Sequence, residues 1–255
     1  QAVVTYVGVP SGRDSIHRTT SMPFDQRRTE RPDPADLDLA SGTVPRVAQQ
    51  TKDPDRASVF IDGAFAFGLA VDLVVEAGLR KGMTLTADAQ RDLLAKQESF
   101  AAKAAAMSSL SHRARTAHEV RQLLTRKGFA ESVVEDTVDL LDRLGMVDDD
   151  AYARAFVRGR FSGRGYGPAR LRQDLMRKGI DRGVINAALA ELTEAEDLDA
   201  EARQQAVRKW RSLAAESDVR KRTKKTIDYL VRRGFGFDVA RSAVEGLADD
   251  EVWDE

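Results

Sequence analysis

The chain has 255 residues, enough for one large domain or two modest ones, and 42% of them are apolar, so it can bury a core. Only 6% are aromatic and 32% are charged, which favours helices with charged faces over sheets. Cysteine is absent, which excludes disulfides, thiolate metal sites and thiol nucleophiles, and no apolar run reaches the roughly 18 residues of a membrane span. Since no basic leader precedes "AVVTYVGV", we expect a cytoplasmic protein.

Residues 1–53 are predicted to be a disordered tail. Six of the seven prolines lie within the first 54 residues, and the tail has seven basic and seven acidic residues. Such a segment buries too little apolar surface to offset the entropy lost on ordering.

Residues 54–107 are predicted to form a small α+β module and a connecting helix. Asp62 and Gly63 separate "ASVFI" from "AFAFG". This spacing predicts a type I′ hairpin, because Gly adopts positive φ at little cost. A short helix over Val71–Glu76 should end at Gly78, and "TADAQ" should cap a longer helix that continues past residue 107.

From about residue 108 the sequence repeats itself three times, with the copies aligned on Gly128, Gly179 and Gly234. In each copy Leu stands four residues before the glycine and Phe or Ile directly after it, the pair that meets in a Schellman cap. The basic residue before each glycine lies at the negative end of the helix dipole. Apolar residues six, ten and thirteen positions after the glycine form one stripe on a second helix. They are Val134, Val138, Leu141, Ile185, Leu189, Leu192, Ala240, Val244 and Leu247.

A third helix is predicted to close each of the first two units. The helix from Asp149 to Phe161, capped by Asp148 or Asp149, would close the first, and "LTEAEDLDAEARQQAVRKWRSLA" the second. The predicted repeats are therefore residues 108–162, residues 163–215, and residues 216–255 with an acidic C-terminal tail. The expected fold class is mainly α: tandem three-helix repeats in an elongated array, preceded by the small α+β N-terminal module of a hairpin plus helix.

Positive charge is concentrated in two blocks. From Arg154 to Arg182 nine bases stand against two acids, and from Arg203 to Arg233 eleven stand against three, in a chain of net charge −1. Such an excess predicts a nucleic acid or an acidic protein surface as partner; the alternative is solvation and ion pairing. The candidate contact residues are Arg154, Arg158, Arg160, Arg164, Arg170, Arg172, Arg177, Lys178, Lys221, Arg222, Lys224, Lys225, Arg232 and Arg233.

No catalytic residues, cofactor or metal site are predicted. His112 and His118 are six residues apart and so do not share a helix face, His17 lies in the predicted tail, and no phosphate-binding loop motif occurs. The acidic run at 148–150 fits a helix N-cap better than a cation site. Among the aromatic residues, Tyr166 is expected to be the most exposed.

Three stretches resemble one protein family. "DDDAYARAFVRGRFSGRGYGPARLRQDLMRKGI" resembles the signature of the RecX family of bacterial regulatory proteins, "VFIDGAFAFGLAVDLVVEAGLRKGMTL" is similar to its N-terminal module, and "KKTIDYLVRRGFGFDVARSAV" to its third repeat. The resemblance covers about residues 56–248. It implies a non-enzymatic protein that lodges along the RecA recombinase filament on DNA and inhibits ATP hydrolysis, filament extension and strand exchange, in recombination, DNA repair and the SOS response.

The resemblance also implies weaker binding to single- and double-stranded DNA, with no membrane or small-molecule partner. The tail of some fifty residues and the acidic terminus "ADDEVWDE" lie outside the family pattern. Two alternatives stay open. One is a helix-turn-helix-like DNA-binding protein, suggested by "RLRQDLMRKGIDRGVINAAL", although its second helix is largely apolar. The other is a protein-only helical-repeat adaptor.

Overall fold

The computed structural model describes residue 31 and residues 34–247. Its N-terminal part contains a short 3-10 helix, Pro34–Asp36, then β1 Gly42–Thr43, β2 Arg46–Gln49, β3 Arg56–Ile61, β4 Ala64–Ala70, α1 Val71–Glu76 and β5 Thr84–Leu85. The helices that follow are α2 Ala87–His112, α3 Ala117–Arg126, α4 Glu131–Arg143, α5 Asp149–Arg164, α6 Pro168–Arg177, α7 Arg182–Ala195, α8 Leu198–Arg211, α9 Val219–Arg233 and α10 Phe237–Ser242.

The N-terminal module is a three-stranded antiparallel sheet in the order β2-β3-β4, with β1 and β5 paired separately. The predicted hairpin is confirmed: Asp62 has φ 48° and Gly63 has φ 90° between β3 and β4. The predicted disordered tail is wrong over β1 and β2, which lie before residue 53. These strands are two and four residues long, too short to show an alternation of apolar and polar residues in the sequence. They are ordered by hydrogen-bonded pairing with β5 and β3. Residues 1–30 lie outside the described residues.

The three predicted glycine caps are confirmed. Gly128, Gly179 and Gly234 have φ of 81°, 74° and 94°. After each, the N–H of the Phe or Ile donates to the carbonyl of the Leu five residues earlier, at 3.2 or 3.3 Å, and the glycine N–H donates to the carbonyl three residues earlier. Both bonds of the Schellman motif are therefore present in every copy. The apolar residues of the second-helix stripes are all buried.

The packing groups the helices differently from the predicted repeats. One buried cluster joins α2, α3 and α4, a second joins α5, α6 and α7, and a third joins α8, α9 and α10. We call these unit 1, unit 2 and unit 3. The helices α2, α5 and α8 each open a unit, whereas the predicted boundaries made α2 a connecting helix and made α5 and α8 close the unit before. The correction follows from the buried stripe of α5, Ala153, Val157 and Phe161, which packs on Leu171 and Ile185 rather than on unit 1.

The fold class is as expected: mainly α, with tandem three-helix units after a small α+β module. In the part of the chain that the structure describes, no helix is both long and apolar enough to cross a membrane.

Two joints connect the units, and both place the first turn of one helix on the glycine turn of the next unit. In the joint of units 2 and 3, the N–H of Gly167 donates to the Arg233 carbonyl at 2.8 Å and that of Ala169 to the Gly234 carbonyl at 3.1 Å. In the joint of units 1 and 2, the Thr116 hydroxyl donates to the Lys178 carbonyl at 2.8 Å. Free donors at one helix start therefore satisfy free carbonyls at another helix end.

The first helical residue shows why the joints differ in detail. Ala117 begins α3 and has an N–H, which donates to the Asp149 carboxylate at 2.9 Å. Burial raises the pKa of Asp149, and this hydrogen bond opposes the effect. In the other joint Pro168 begins α6, and since it has no N–H it requires no acceptor.

An ion pair reinforces the joint of units 1 and 2. The Lys178 ammonium lies 3.0 Å from the Glu119 carboxylate, which also accepts from Arg113 at 2.9 Å. Burial of Glu119 disfavours its ionised form, but the hydrogen bonds from Arg113 and Lys178 outweigh burial and lower the pKa of Glu119 to about 2. The carboxylate therefore stays charged across the physiological range, and it holds α3 against the end of α6.

Candidate nucleic-acid interface

The fourteen predicted contact residues lie on α5, α6 and α9, and the structure separates them by their partners. Five are paired with carboxylates. Arg154 lies 3.0 Å from Glu191, and the other pairs are Lys178 with Glu119, Arg177 with Asp174, Lys221 with Asp218, and Lys225 with Glu216. A cation already paired with a carboxylate gains less from a phosphate, so these five are weaker candidates.

Arg222 has a structural position instead of a surface one. Its side chain is buried, with 7% of the residue exposed. Nε and Nη2 donate to the Trp210 carbonyl at 3.1 and 2.9 Å, and the guanidinium carbon lies 4.3 Å from the centre of the Trp210 ring. Arg222 thus ties α9 to the end of α8. Arg222 was predicted to be an exposed contact residue. Its burial could not be read from the sequence, because it depends on contacts with Trp210 of the neighbouring helix.

Four further predicted residues lie on the surface of α5, α6 and α9. Arg172 donates to the Asn186 side-chain oxygen, and the guanidinium carbon of Arg160 lies 5.2 Å from the Phe156 ring centre. Arg158 and Lys224 are exposed, and no side chain among the described residues pairs with either. Among the predicted contact residues, these two are exposed single cations, one on α5 and one on α9.

The remaining four arginines converge at the joint of units 2 and 3. Arg164 ends α5, Arg170 is in the first turn of α6, and Arg232 and Arg233 end α9. Arg233 donates to the Arg164 and Gly165 carbonyls, and Arg170 donates to the Arg232 carbonyl at 3.4 Å. We call Arg164, Arg170, Arg232 and Arg233 the joint cluster. The sequence places its members up to 69 residues apart, and the joint brings them together.

Tyr166 lies beside three members of the joint cluster, Arg164, Arg170 and Arg233. The guanidinium carbons of Arg170 and Arg233 are 4.1 and 5.8 Å from its ring centre. The expectation that Tyr166 is the most exposed aromatic residue is wrong, because the ring is half-buried against the core of unit 2 whereas Phe65 and Phe237 are exposed. A hydrogen bond from Arg164, with the charges of Arg170 and Arg160, lowers the pKa of Tyr166 against a smaller effect of burial. The local potential is therefore positive.

No member of the joint cluster forms an ion pair with a carboxylate of the described residues. Arg164 and Arg232 have exposed side chains, while Arg170 and Arg233 are held in place by backbone carbonyls. Guanidinium groups fixed in this way recognise the oxygen atoms of phosphates or carboxylates. The joint cluster is therefore a candidate anion-binding surface.

The acidic run at 148–150 serves the helices, as predicted. The Asp148 carboxylate accepts from the Ala151 N–H at 2.8 Å and caps α5. The described residues contain no group of His, Asp or Glu side chains arranged to hold a metal ion.

The joint residues Thr116 and Glu119 were not predicted. The run "TAHE" has the Thr and Glu spacing of a capping box, and Thr116 does accept from the Glu119 N–H at 3.1 Å. That local signal predicts the start of α3. It does not predict that Thr116 also donates to Lys178 in another unit, because the contact spans 62 residues.

Comparison with known families gives four matches in chain order. The N-terminal domain of the regulatory protein RecX matches residues 42–86, and its first, second and third three-helix domains match residues 102–141, 148–189 and 196–244. The match to the second three-helix domain begins at Asp148, the N-cap of α5. The match to the third begins beside Asp197, the N-cap of α8, so both agree with the packing of units 2 and 3.

Similar proteins and structures agree with these matches. The regulatory protein RecX of Bacillus licheniformis is 30% identical over 208 residues, which are 79% of this chain and 76% of the relative. That of Clostridium acetobutylicum is 28% identical over 201 residues, covering 78% and 93%. A crystal structure of regulatory protein RecX superposes with a TM-score of 0.62 at 25% identity, covering 78% of this chain and 96% of the other. The chain belongs to the RecX family of regulatory proteins.

Proposed function

We propose that this chain is a non-enzymatic regulator that binds the RecA filament on DNA and inhibits its ATP hydrolysis, its extension and strand exchange. In this role it would act in the cytoplasm, in recombination and DNA repair. Membership of the RecX family supports the regulatory part of the proposal. The joint cluster is the observation that supports the proposed contact surface, because its four arginines have no carboxylate partner among the described residues.

The position of the joint cluster suits a partner that is long and regularly charged. It lies where two units meet, with Arg158 on the α5 helix of unit 2 and Lys224 on the α9 helix of unit 3. A filament or a nucleic acid offers anions along its whole length, so one chain can be contacted at several units together. The phosphate-contact role therefore goes to Arg158, Lys224 and the joint cluster.

The test is the steady-state ATPase rate of RecA on single-stranded DNA as the protein is titrated. We expect inhibition at well below one copy per RecA monomer. No inhibition by folded protein would overturn the proposal.

Two arginines at equivalent positions of the repeat provide a matched pair of variants. Arg232 and Arg177 each lie two residues before the glycine cap, near the same end of a helix dipole. Arg177 is paired with Asp174, whereas Arg232 has no paired side chain among the described residues. We expect Arg232→Glu to raise the half-inhibitory concentration at least tenfold, and Arg177→Glu to raise it by less than about threefold. Equal effects would remove the joint cluster from the interface.

Salt dependence separates DNA contacts from protein contacts. If the chain neutralises phosphates, the logarithm of its affinity for DNA falls with the logarithm of salt concentration by about 0.9 per duplex phosphate, or about 0.7 on single strands. A helix-turn-helix-like protein would in addition select one duplex sequence, and a protein-only adaptor would show no DNA affinity at low salt. The buried stripe of α7, Ile185, Leu189 and Leu192, leaves only part of that helix for reading bases.

A further inference from the structure

The two joints follow one pattern when the units are aligned on their glycine turns. Thr116 and Gly167, the N-caps of α3 and α6, each stand twelve residues before the glycine of their own unit. Each N-cap residue donates a hydrogen bond to the carbonyl just before the next unit's glycine. The N-caps of units 1 and 2 are thus donor ends, and the glycine turns of units 2 and 3 are acceptor ends, so the equivalent turn of unit 1 has no preceding unit to receive.

The equivalent turn of unit 1 is the Gly128 turn, and Arg31 contacts it. The N–H of Arg31 donates to the Gly128 carbonyl at 3.3 Å. The equivalent carbonyl of unit 3, at Gly234, accepts from Ala169. The guanidinium carbon of Arg31 also lies 4.0 Å from the centre of the Phe129 ring. One backbone donor and one side chain therefore occupy the position that a preceding unit would take.

The segment at Arg31 is anchored further along the chain. The Pro34–Asp36 helix packs on α2, and the Gln90 side chain donates to the Ala40 carbonyl at 2.8 Å. A cleft of about 800 Å³ extends beside Arg31 between α3 and α4, lined in part by Thr125 and Glu131. The surface at the Gly128 turn therefore extends beyond the atoms that Arg31 contacts.

The opposite end of the array is modified as well. The position twelve residues before Gly234 is Arg222, which lies inside α9 and is buried. The N-cap of this helix is Asp218, four residues earlier; its carboxylate accepts from the Lys221 N–H, and its own N–H donates to the Glu216 carboxylate. An added helical turn thus separates the N-cap from the position of the donor end, so unit 3 does not carry the pattern for a further joint.

We propose that the segment at Arg31 is an end cap, which occupies within the same chain a docking surface built to receive the first turn of a helix. The surface consists of Thr125, Gly128 and Phe129 with the adjoining cleft. Its occupant is the part of the same chain at Arg31, and the Pro34–Asp36 helix that follows packs on α2. This inference does not rest on the proposed action on RecA.

The first test uses the absence of cysteine, which makes any introduced thiol unique. Arg31→Cys is combined with Thr125→Cys, and the control combines it with Met176→Cys, at the same position of unit 2. A short bifunctional maleimide should link the first pair within one chain and leave the control pair unlinked. Equal linking in both pairs would overturn the proposal. Dimers formed only by the first pair would also overturn it, because a second copy would then be the occupant.

Hydrogen exchange of the Arg31 amide gives a second, independent test. Phe129→Leu removes the ring under Arg31, and Phe235→Leu makes the same change at the equivalent position of unit 3; both side chains are buried. We expect the amide to exchange at least tenfold more slowly than in an unfolded chain, both in the unmodified protein and in Phe235→Leu. In Phe129→Leu this protection should fall severalfold. An unprotected amide in the unmodified protein would refute the end cap.

Discussion

Substitution of Gly234 by alanine tests the joint of units 2 and 3 directly. Gly234 has φ 94°, and a Cβ there would overlap the backbone nitrogen of Arg170. Left-handed backbone costs about 1–2 kcal/mol for a residue with a Cβ. If α6 shifts away, the bonds from Gly167 and Ala169 are lost, at about 0.5–1.5 kcal/mol each. Gly234→Ala should therefore lower the free energy of unfolding by about 2–5 kcal/mol.

The matched control is Gly145→Ala. Gly145 also has positive φ, at 64°, but a Cβ there meets no other atom within 4 Å. Only the backbone cost of about 1–2 kcal/mol remains. Urea denaturation followed by circular dichroism measures both variants, with the midpoint reporting stability where the slope is unchanged. Equal losses in the two variants would show that the joint contributes nothing, and would refute the reasoning.

Three other outcomes are expected. Arg222→Ala should lower the free energy of unfolding by about 1–3 kcal/mol in a urea titration, because it removes two hydrogen bonds to the Trp210 carbonyl. The control Lys224→Ala, at an exposed residue, should lower it by less than about 0.5 kcal/mol, and equal losses would contradict the prediction. Glu119 has a pKa of about 2 in the folded protein, below its ordinary 4.5, so the stability it contributes is present above pH 4.5 and lost as the pH falls towards 2. The melting temperature of Glu119→Gln should therefore fall less between pH 4.5 and pH 2 than that of the unmodified protein. Arg158→Glu should weaken binding to fluorescently labelled single-stranded DNA more than Arg154→Glu, because Arg154 is already paired with Glu191. If both variants keep their helicity and bind as the unmodified protein does, α5 is not part of the DNA-binding surface.

The features predictable from the sequence are those decided within one helix, turn and helix. The Schellman caps at Gly128, Gly179 and Gly234 depend on residues at most five positions apart, and the buried stripes depend on spacings of three and four. Both were therefore visible as a repeated pattern. The grouping of helices into units was not, because it depends on which unit the stripe of α5 packs against. A long amphipathic helix between two units fits either neighbour in the sequence alone.

The candidate site shows the same limit. The excess of positive charge in the two blocks can be counted in the sequence. Whether each basic side chain is free to contact an anion depends on its neighbours in the folded protein. Arg222 and Lys224 are two residues apart on α9, and one is buried against Trp210 while the other is exposed. Arg164 and Arg233 meet only because the unit joint brings α5 and α9 together. Such contacts have no signal in local spacing.

The shared pattern of the joints has a consequence for how chains of this kind change length during evolution. Excision of residues 148–196 would leave Val147 followed directly by Asp197, the N-cap of α8. The first turn of α3 would then meet the turn at Gly234, whose preceding carbonyl can receive the Thr116 hydroxyl as Lys178 does now. Loss or duplication of unit 2, which has both a donor end and an acceptor end, should therefore preserve a complementary connection between its neighbours.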